Sequence, residues 1–329
     1  MILTSPQPRR RRPGARTLAF AKCVAVPLAL TVLLGACTNS KLVISPLYNR
    51  LDDQMRKEFN KLGDFDDAQQ AMFEVGVGTG HVWHRQSELP RYAELLRTIA
   101  RSLSVPGRTT PDVIATWAEA VEARAVAARE CHPVNFLFDL TRSLSDDEID
   151  FIERRFARER VKNREKYESR TREERITNRL NNIDKWARRI GIEFDAQQRA
   201  IVRSGLEDQV SLRREYFQLS DRWKKTLFEY AREQDAPDYD ERMQAHFAEL
   251  WTLLENAHPD EWQSNRDLWR RVSARLEQSL TADQRLKASA WLSKMANTLV
   301  AISKDEPSFK VVADPRLGCL VPVQPSDEA

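Results

Sequence analysis

The sequence predicts an all-α protein, an elongated multi-helix bundle of antiparallel capped helices with no sheet. Three observations predict it. The chain of 329 residues holds only 10 Gly, too few for a turn-dense β fold or a doubly wound nucleotide-binding fold. A helix start signal recurs. Asp66-x-x-Gln69, Ser145-x-x-Glu148, Asp195-x-x-Gln198 and Thr281-x-x-Gln284 all fit the capping box, each behind a large apolar residue: Phe65, Leu144, Phe194 and Leu280. In that box the cap side chain takes an orphan N–H of the first turn, and the Glu or Gln bonds back to the cap. Third, apolar residues return every three or four positions, as in Ile149, Ile152, Phe156 and in Ile176, Leu180, Ile183, Trp186, Ile190, the period of a helix with one buried face.

Composition fits a folded body. A 41% apolar fraction with eight Trp balances 31% charge, which excludes a disordered chain and provides a core for one large domain or two small ones. The formal charge of +3 belongs to the start of the chain. Residues 1–36 contain six basic residues and no acid, and without them 46 basic face 49 acidic residues, a balance of −3. That balance exerts no global pull on nucleic acid.

Residues 1–36 read as a signal peptide. Pro8–Arg16 is basic, and Cys23–Ala36 is a run of fourteen uncharged residues. A membrane span needs about 20 such residues, so the run suits a signal core. It ends in Leu33-Leu34-Gly35-Ala36-Cys37, which resembles the bacterial lipobox. The resemblance implies that the Cys37 thiol receives a diacylglyceryl group, that the chain is cut before it, and that the new amine is acylated. Several acyl chains, at about 0.8 kcal/mol per buried CH₂, anchor stably where one does not. The alternative is an ordinary signal anchor with an incidental Cys. The arginine run also invites twin-arginine export, but the rest of that consensus does not follow. Thr38 stands where enteric-type lipoproteins carry an inner-membrane retention Asp. Its presence implies an outer-membrane lipoprotein facing the periplasm, in a Gram-negative envelope. Residues 37–46 are expected as acylated Cys and tether, with Thr38–Pro46 reaching about 30 Å.

The helical domain is expected over 47–303, with helices near 47–61, 67–103, 111–129, 146–168, 172–190, 196–232, 239–256, 260–278 and 282–303. Thr110-Pro111 places Pro at a first helical position. Pro90 should kink or break the second helix. The repeated boxes could mark a duplicated helical unit, but capping alone produces them and is the reading preferred. Arg158–Arg175 carries 13 charged residues in 18. It is a solvated helix face, or two helices meeting at Ser169 with Thr171-x-x-Glu174 as a new cap. Five interleaved acids weaken its use as a site for an anionic polymer. Residues 304–329 lose the helical period, gain four Pro and read as an extended tail.

Chemistry is sparse. Gly76, Gly78 and Gly80 lack the Lys-Ser/Thr ending and preceding strand of a phosphate loop, and close helix packing accounts for them better. His81 and His84, with Glu88 one turn on, have a spacing that could hold zinc, but the His-Glu-x-x-His pattern is missing. No metal ligands, cofactor or catalytic residues are assigned. With Cys23 in the leader and Cys37 acylated, Cys131 and Cys319 either pair in an oxidising compartment or stay as two thiols. A bridge would close roughly 190 residues and contribute roughly 5 kcal/mol.

Trp83-His84-Arg85-x-x-Glu88-Leu89-Pro90-x-Tyr92 stands apart. With the lipobox, the Leu47-Tyr48-Asn49 start and the later Leu-Ser-x-x-Glu and Arg-Arg-Glu-Tyr segments, it resembles a family of uncharacterised bacterial lipoproteins, a domain-of-unknown-function family, over roughly 37–303. The resemblance implies an all-helical periplasmic lipoprotein and brings no known activity. Read physically, Arg85 and Glu88 are spaced to pair. Trp83, His84, Arg85, Glu88 and Tyr92 form either a structural corner or an interaction surface for an envelope protein or glycan. The expected function is a membrane-anchored, non-enzymatic binding or scaffolding protein, with the bilayer as partner through Cys37. The alternatives are a peptidoglycan-cleaving enzyme with Glu88 as its acid, and metal capture by His81, His84 and Glu88.

Overall fold

The computed structural model describes residues 41–105, 108–131 and 135–305, and among them every regular element is helical. In chain order these are α1 (Lys41–Asn49), α2 (Leu51–Phe59), α3 (Asp67–Trp83), a π-helical turn (His84–Glu88), α4 (Leu89–Leu103), α5 (Pro111–Cys131), α6 (Asn135–Arg142) and α7 (Asp146–Glu168). They continue as α8 (Arg172–Arg189), α9 (Ala196–Asp208), α10 (Arg213–Ala231), α11 (Tyr239–Glu249), α12 (Leu253–Ala257), α13 (Pro259–Gln278) and α14 (Ala282–Ser303). The all-α multi-helix bundle is as expected. The expected signal peptide, Cys37 and most of the 304–329 tail lie outside the described residues.

Five capping boxes form with both reciprocal bonds, at Asp66, Ser145, Thr171, Asp195 and Thr281. Four of them then mate across the fold. Gln198 and Gln284, the third helical residues of α9 and α14, face each other and are buried. The Gln198 Nε2 donates to Gln284 Oε1 at 2.8 Å, and the Gln284 Nε2 donates back at 3.0 Å. Their remaining amide hydrogens go to Ser279 O at 3.0 Å and Glu193 O at 2.7 Å. Each Oε1 also accepts from its own cap N–H, so both amides are saturated. Gln69 of α3 repeats half of this arrangement with α7. Its Nε2 donates to Ser143 O at 3.0 Å and to Glu148 Oε2 at 3.2 Å. Glu148 has no N–H to return, so that clasp is one-sided.

Buried apolar side chains form four clusters. Phe59, Phe65 and Phe73 stack at 4.1 and 4.0 Å beneath α6, α7 and α10. Ile44 and Tyr48 of α1 pack with Leu89 and Ala93 of α4 and with Met295, Leu299 and Ile302 of α14. A third cluster joins α4, α8, α9 and α14, and a fourth joins α6, α10 and α11 around Met243. Helices α4 and α14 run antiparallel, because Leu89 lies with Ile302 while Ser289 Oγ donates to Ala100 O at 2.8 Å. At the α9–α13 crossing the Gly205 Cα faces Val272, and a Cβ there would lie 2.6 Å from Val272 Cγ2, so only glycine lets the helices approach.

Several expected boundaries move. The first described helix, Lys41–Asn49, has Pro46 inside it, so residues 41–46 are helical and not an extended tether. Burial of Ile44, Ser45 and Tyr48 holds this helix on the body. The expected 196–232 helix divides at Gln209–Leu212, where Asn265 caps both the N–H and the C=O of Val210 at 3.0 Å. The expected 239–256 helix divides between Leu250 and Thr252, and α6 was not expected. The charged run resolves into two helices that turn at Ser169.

Candidate functional site

The Trp83–Tyr92 segment lies where α3 passes into α4. Pro90 lacks an N–H, and its ring crowds the carbonyl four residues earlier. The helix continues across it by widening, so that the Leu89 N–H bonds to His84 O, five residues back. The wider turn changes which side chains face inward. Val77, His81, Arg85, Leu89 and Ala93 are all buried at intervals of four. In an uninterrupted α-helix that spacing drifts by about 40° per step. The π-turn takes up the drift, and His84, Glu88 and Tyr92 are buried beside this row.

Arg85 and Glu88 are both 0% exposed, yet they do not pair. Arg85 Nη1 donates to Ile302 O at 3.0 Å and Nη2 donates to Asn49 Oδ1 at 2.5 Å. Its Cζ lies 4.9 Å from the centre of the Tyr48 ring, a cation–π contact. One guanidinium thus ties α1, the π-turn and the end of α14. Glu88 Oε1 instead meets Arg91 at 2.8 Å and Arg124 of α5 at 3.6 Å. Tyr48 Oη and His84 Nδ1 share a hydrogen bond of 2.9 Å, and the Tyr48 and His81 rings lie 4.6 Å apart. Burial pushes the Tyr48 and Tyr92 phenols up, and the Glu88 charge adds to the rise at Tyr92. Both are therefore neutral hydroxyls at physiological pH.

Burial, and then the Arg85 charge, lower His81 from 6.5 to about 4. An unfolded imidazole takes a proton near pH 6.5 that the folded one refuses until about pH 4. Between those values the unfolded state holds more protons, so stability falls as pH drops through 6.5 and this loss is complete near 4. The expected size is about 3 kcal/mol. Urea midpoints at pH 7 and 4.5 should separate further for the native chain than for His81→Phe. Equal separations would remove His81 as the cause.

Of the two readings of this segment, these positions favour the structural corner. Trp83, His84, Arg85, Glu88 and Tyr92 are all buried, so they form no outward interaction surface; α1, α5 and α14 cover them. The expected Arg85–Glu88 pair is likewise replaced by the partners above. Among the described residues, no group of three or more His, Cys, Asp or Glu is placed to hold a metal ion, so His81, His84 and Glu88 are not gathered as ligands. Gly76 and Gly78 are buried within α3. Cys131 ends α5, but its side chain and Cys319 lie outside what is described. Sequence reasoning missed Arg124, which carries no local signal, and Ile302, which contributes only a carbonyl. Tyr48 and Asn49 were visible as part of the Leu47-Tyr48-Asn49 start.

Among the described residues, no helix is long and apolar enough to cross a membrane. A family model described as a family of unknown function (DUF6279) matches residues 61–262. No curated protein and no solved structure matches the chain.

Proposed function

The chain belongs to the DUF6279 family of unknown function, and on that footing we propose that it is a lipid-anchored protein of the bacterial cell envelope that binds or scaffolds another envelope component. The observation that carries this reading is Leu33-Leu34-Gly35-Ala36-Cys37 behind a basic run and fourteen uncharged residues. In this reading Cys37 is acylated, becomes the first residue of the mature chain and holds it at the outer membrane, facing the periplasm of a Gram-negative cell. Helix α1 supports a close attachment. The chain is helical from Lys41 on, so at most four residue steps separate Cys37 from the helix, a reach of no more than about 13 Å. The body therefore lies against the leaflet, without the long tether that the sequence suggested. The glycan-cleaving alternative rests on Glu88, which is fully buried beside Arg91 and Arg124 and offers no accessible acid.

Replacing the thiol tests the anchor. Cys37→Ser is expected to leave a precursor that keeps residues 1–36, lacks acyl mass and is not cut between residues 36 and 37. Intact-mass spectrometry of the native and substituted proteins reads all three. Cleavage at the same bond in Cys37→Ser, with retention in the membrane pellet, would overturn the proposal.

A further inference from the structure

A groove of about 390 Å³ opens between α10, α11 and α12, within the size range of small-molecule sites. It shares no residue with the π-turn cluster. Its floor is rigid. The Trp223 and His246 rings stack at 4.7 Å with 7° between their planes. Trp223 Nε1 donates to His246 O at 2.7 Å, and His246 Nε2 donates to Trp223 O at 2.8 Å. Because a carbonyl only accepts, Nε2 carries the imidazole proton. Leu219 and Leu253 supply apolar walls.

The charges at the groove decide what it suits. Arg242 is held by ion pairs with Glu233 at 2.7 Å and Asp238 at 3.3 Å and lies over the Tyr230 ring at 4.7 Å, with its hydrogen bond made by Nη1 while its buried Nε and Nη2 make none. Arg222 is exposed and, among the described residues, has no carboxylate partner. Glu249 lines the same groove, 65% exposed, its carboxylate 3.8 Å from the unprotonated Nδ1 of His246. Arg222 and Glu249 do not pair with each other, so an apolar bed carries an unspent cation and an unspent anion. We propose that this groove binds a short apolar peptide with both termini free, a dipeptide in size, its carboxylate on Arg222, its ammonium on Glu249 and its side chains against Leu219 and Leu253. A ligand with separated opposite charges meets both groups at once, whereas a simple anion or cation meets only one of them.

The test uses full-length protein purified in detergent, with calorimetric titration of Leu-Leu, N-acetyl-Leu-Leu and Leu-Leu amide. Leu-Leu should bind, and each blocked peptide should bind about tenfold more weakly or worse, as expected for the loss of one charge-assisted contact. Arg222→Gln should abolish the discrimination against the amide and keep that against the acetyl form. Glu249→Gln should do the reverse. Both residues are exposed, so the substitutions leave the fold in place, and circular dichroism checks this. Three results would each overturn the site: no heat from Leu-Leu up to about 10 mM, equal binding of the blocked peptides, or unchanged discrimination in both variants. Cys37→Ser protein should bind as the native chain does, so failure of the anchor and failure of the groove are distinguishable.

Discussion

Arg85→Ala is expected to lower stability by about 4 kcal/mol and the melting temperature by about 10 °C. Two effects oppose each other at this site. Removing a buried charge relieves its desolvation cost, which favours the variant. Against that, two charge-assisted hydrogen bonds are lost, to Ile302 O and to Asn49 Oδ1, each worth about 1.5–3 kcal/mol. The cavity left by a fully buried side chain adds to the cost. The losses win because the partners are neutral acceptors fixed on separate helices, and no other donor replaces the guanidinium at Asn49. Arg85→Lys should fall between, since one ammonium cannot span both acceptors with a planar fork. Calorimetry gives the melting shift, and hydrogen exchange should show α1 opening first. A shift of less than about 2 °C in Arg85→Ala would mean that the guanidinium does not hold these helices together.

The second large effect is expected at the facing caps. Gln198→Leu and Gln284→Leu should each cost about 3 kcal/mol, because each strands a buried carbonyl, a cap N–H and half of the partner amide. The double variant should cost about 4–5 kcal/mol, less than the sum, since the second change removes an amide the first had already left unsatisfied. Gln69→Leu should cost less than either, because Gln69 mates with a carboxylate that returns no hydrogen. Urea unfolding of the four proteins measures the coupling. Full additivity would show that the two amides act as separate caps and not as a unit.

The caps show how far the sequence could be read. Each box is local, with four residues that satisfy their own first turn, and so each was visible. That Gln198 would meet Gln284 was not visible, because an N3 glutamine has the same spacing whether its spare hydrogens face water or another helix. Pro90 was legible as a disturbance. Its outcome, a widened turn instead of a break, depends on α1, α5 and α14 closing over the row that the turn brings inward. The end of α9 carried no signal, since neither Gly nor Pro lies in Gln209–Leu212 and the break is held by Asn265, more than fifty residues away. Helix α1 was read as starting too late because Pro46 resembles a boundary, while Ile44 and Tyr48 bury enough surface to keep the turn before it helical. In the Trp83–Tyr92 segment the residue types left a structural corner and an outward patch both open. A mixture of aromatic and charged side chains is common to contact surfaces and to saturated buried networks, and only the covering helices separate the two.

Helix α1 packs against α14, and its Ser45 hydroxyl donates to Asp305 Oδ2, just past the end of α14, at 3.0 Å. The first and last of the described helices are therefore neighbours. A short linker could splice them, and the backbone could be reopened at the surface turn between α10 and α11, giving a circular permutant with the same helices, clasps and buried guanidinium. The order in which the ribosome delivers these helices is thus separable from the arrangement they reach.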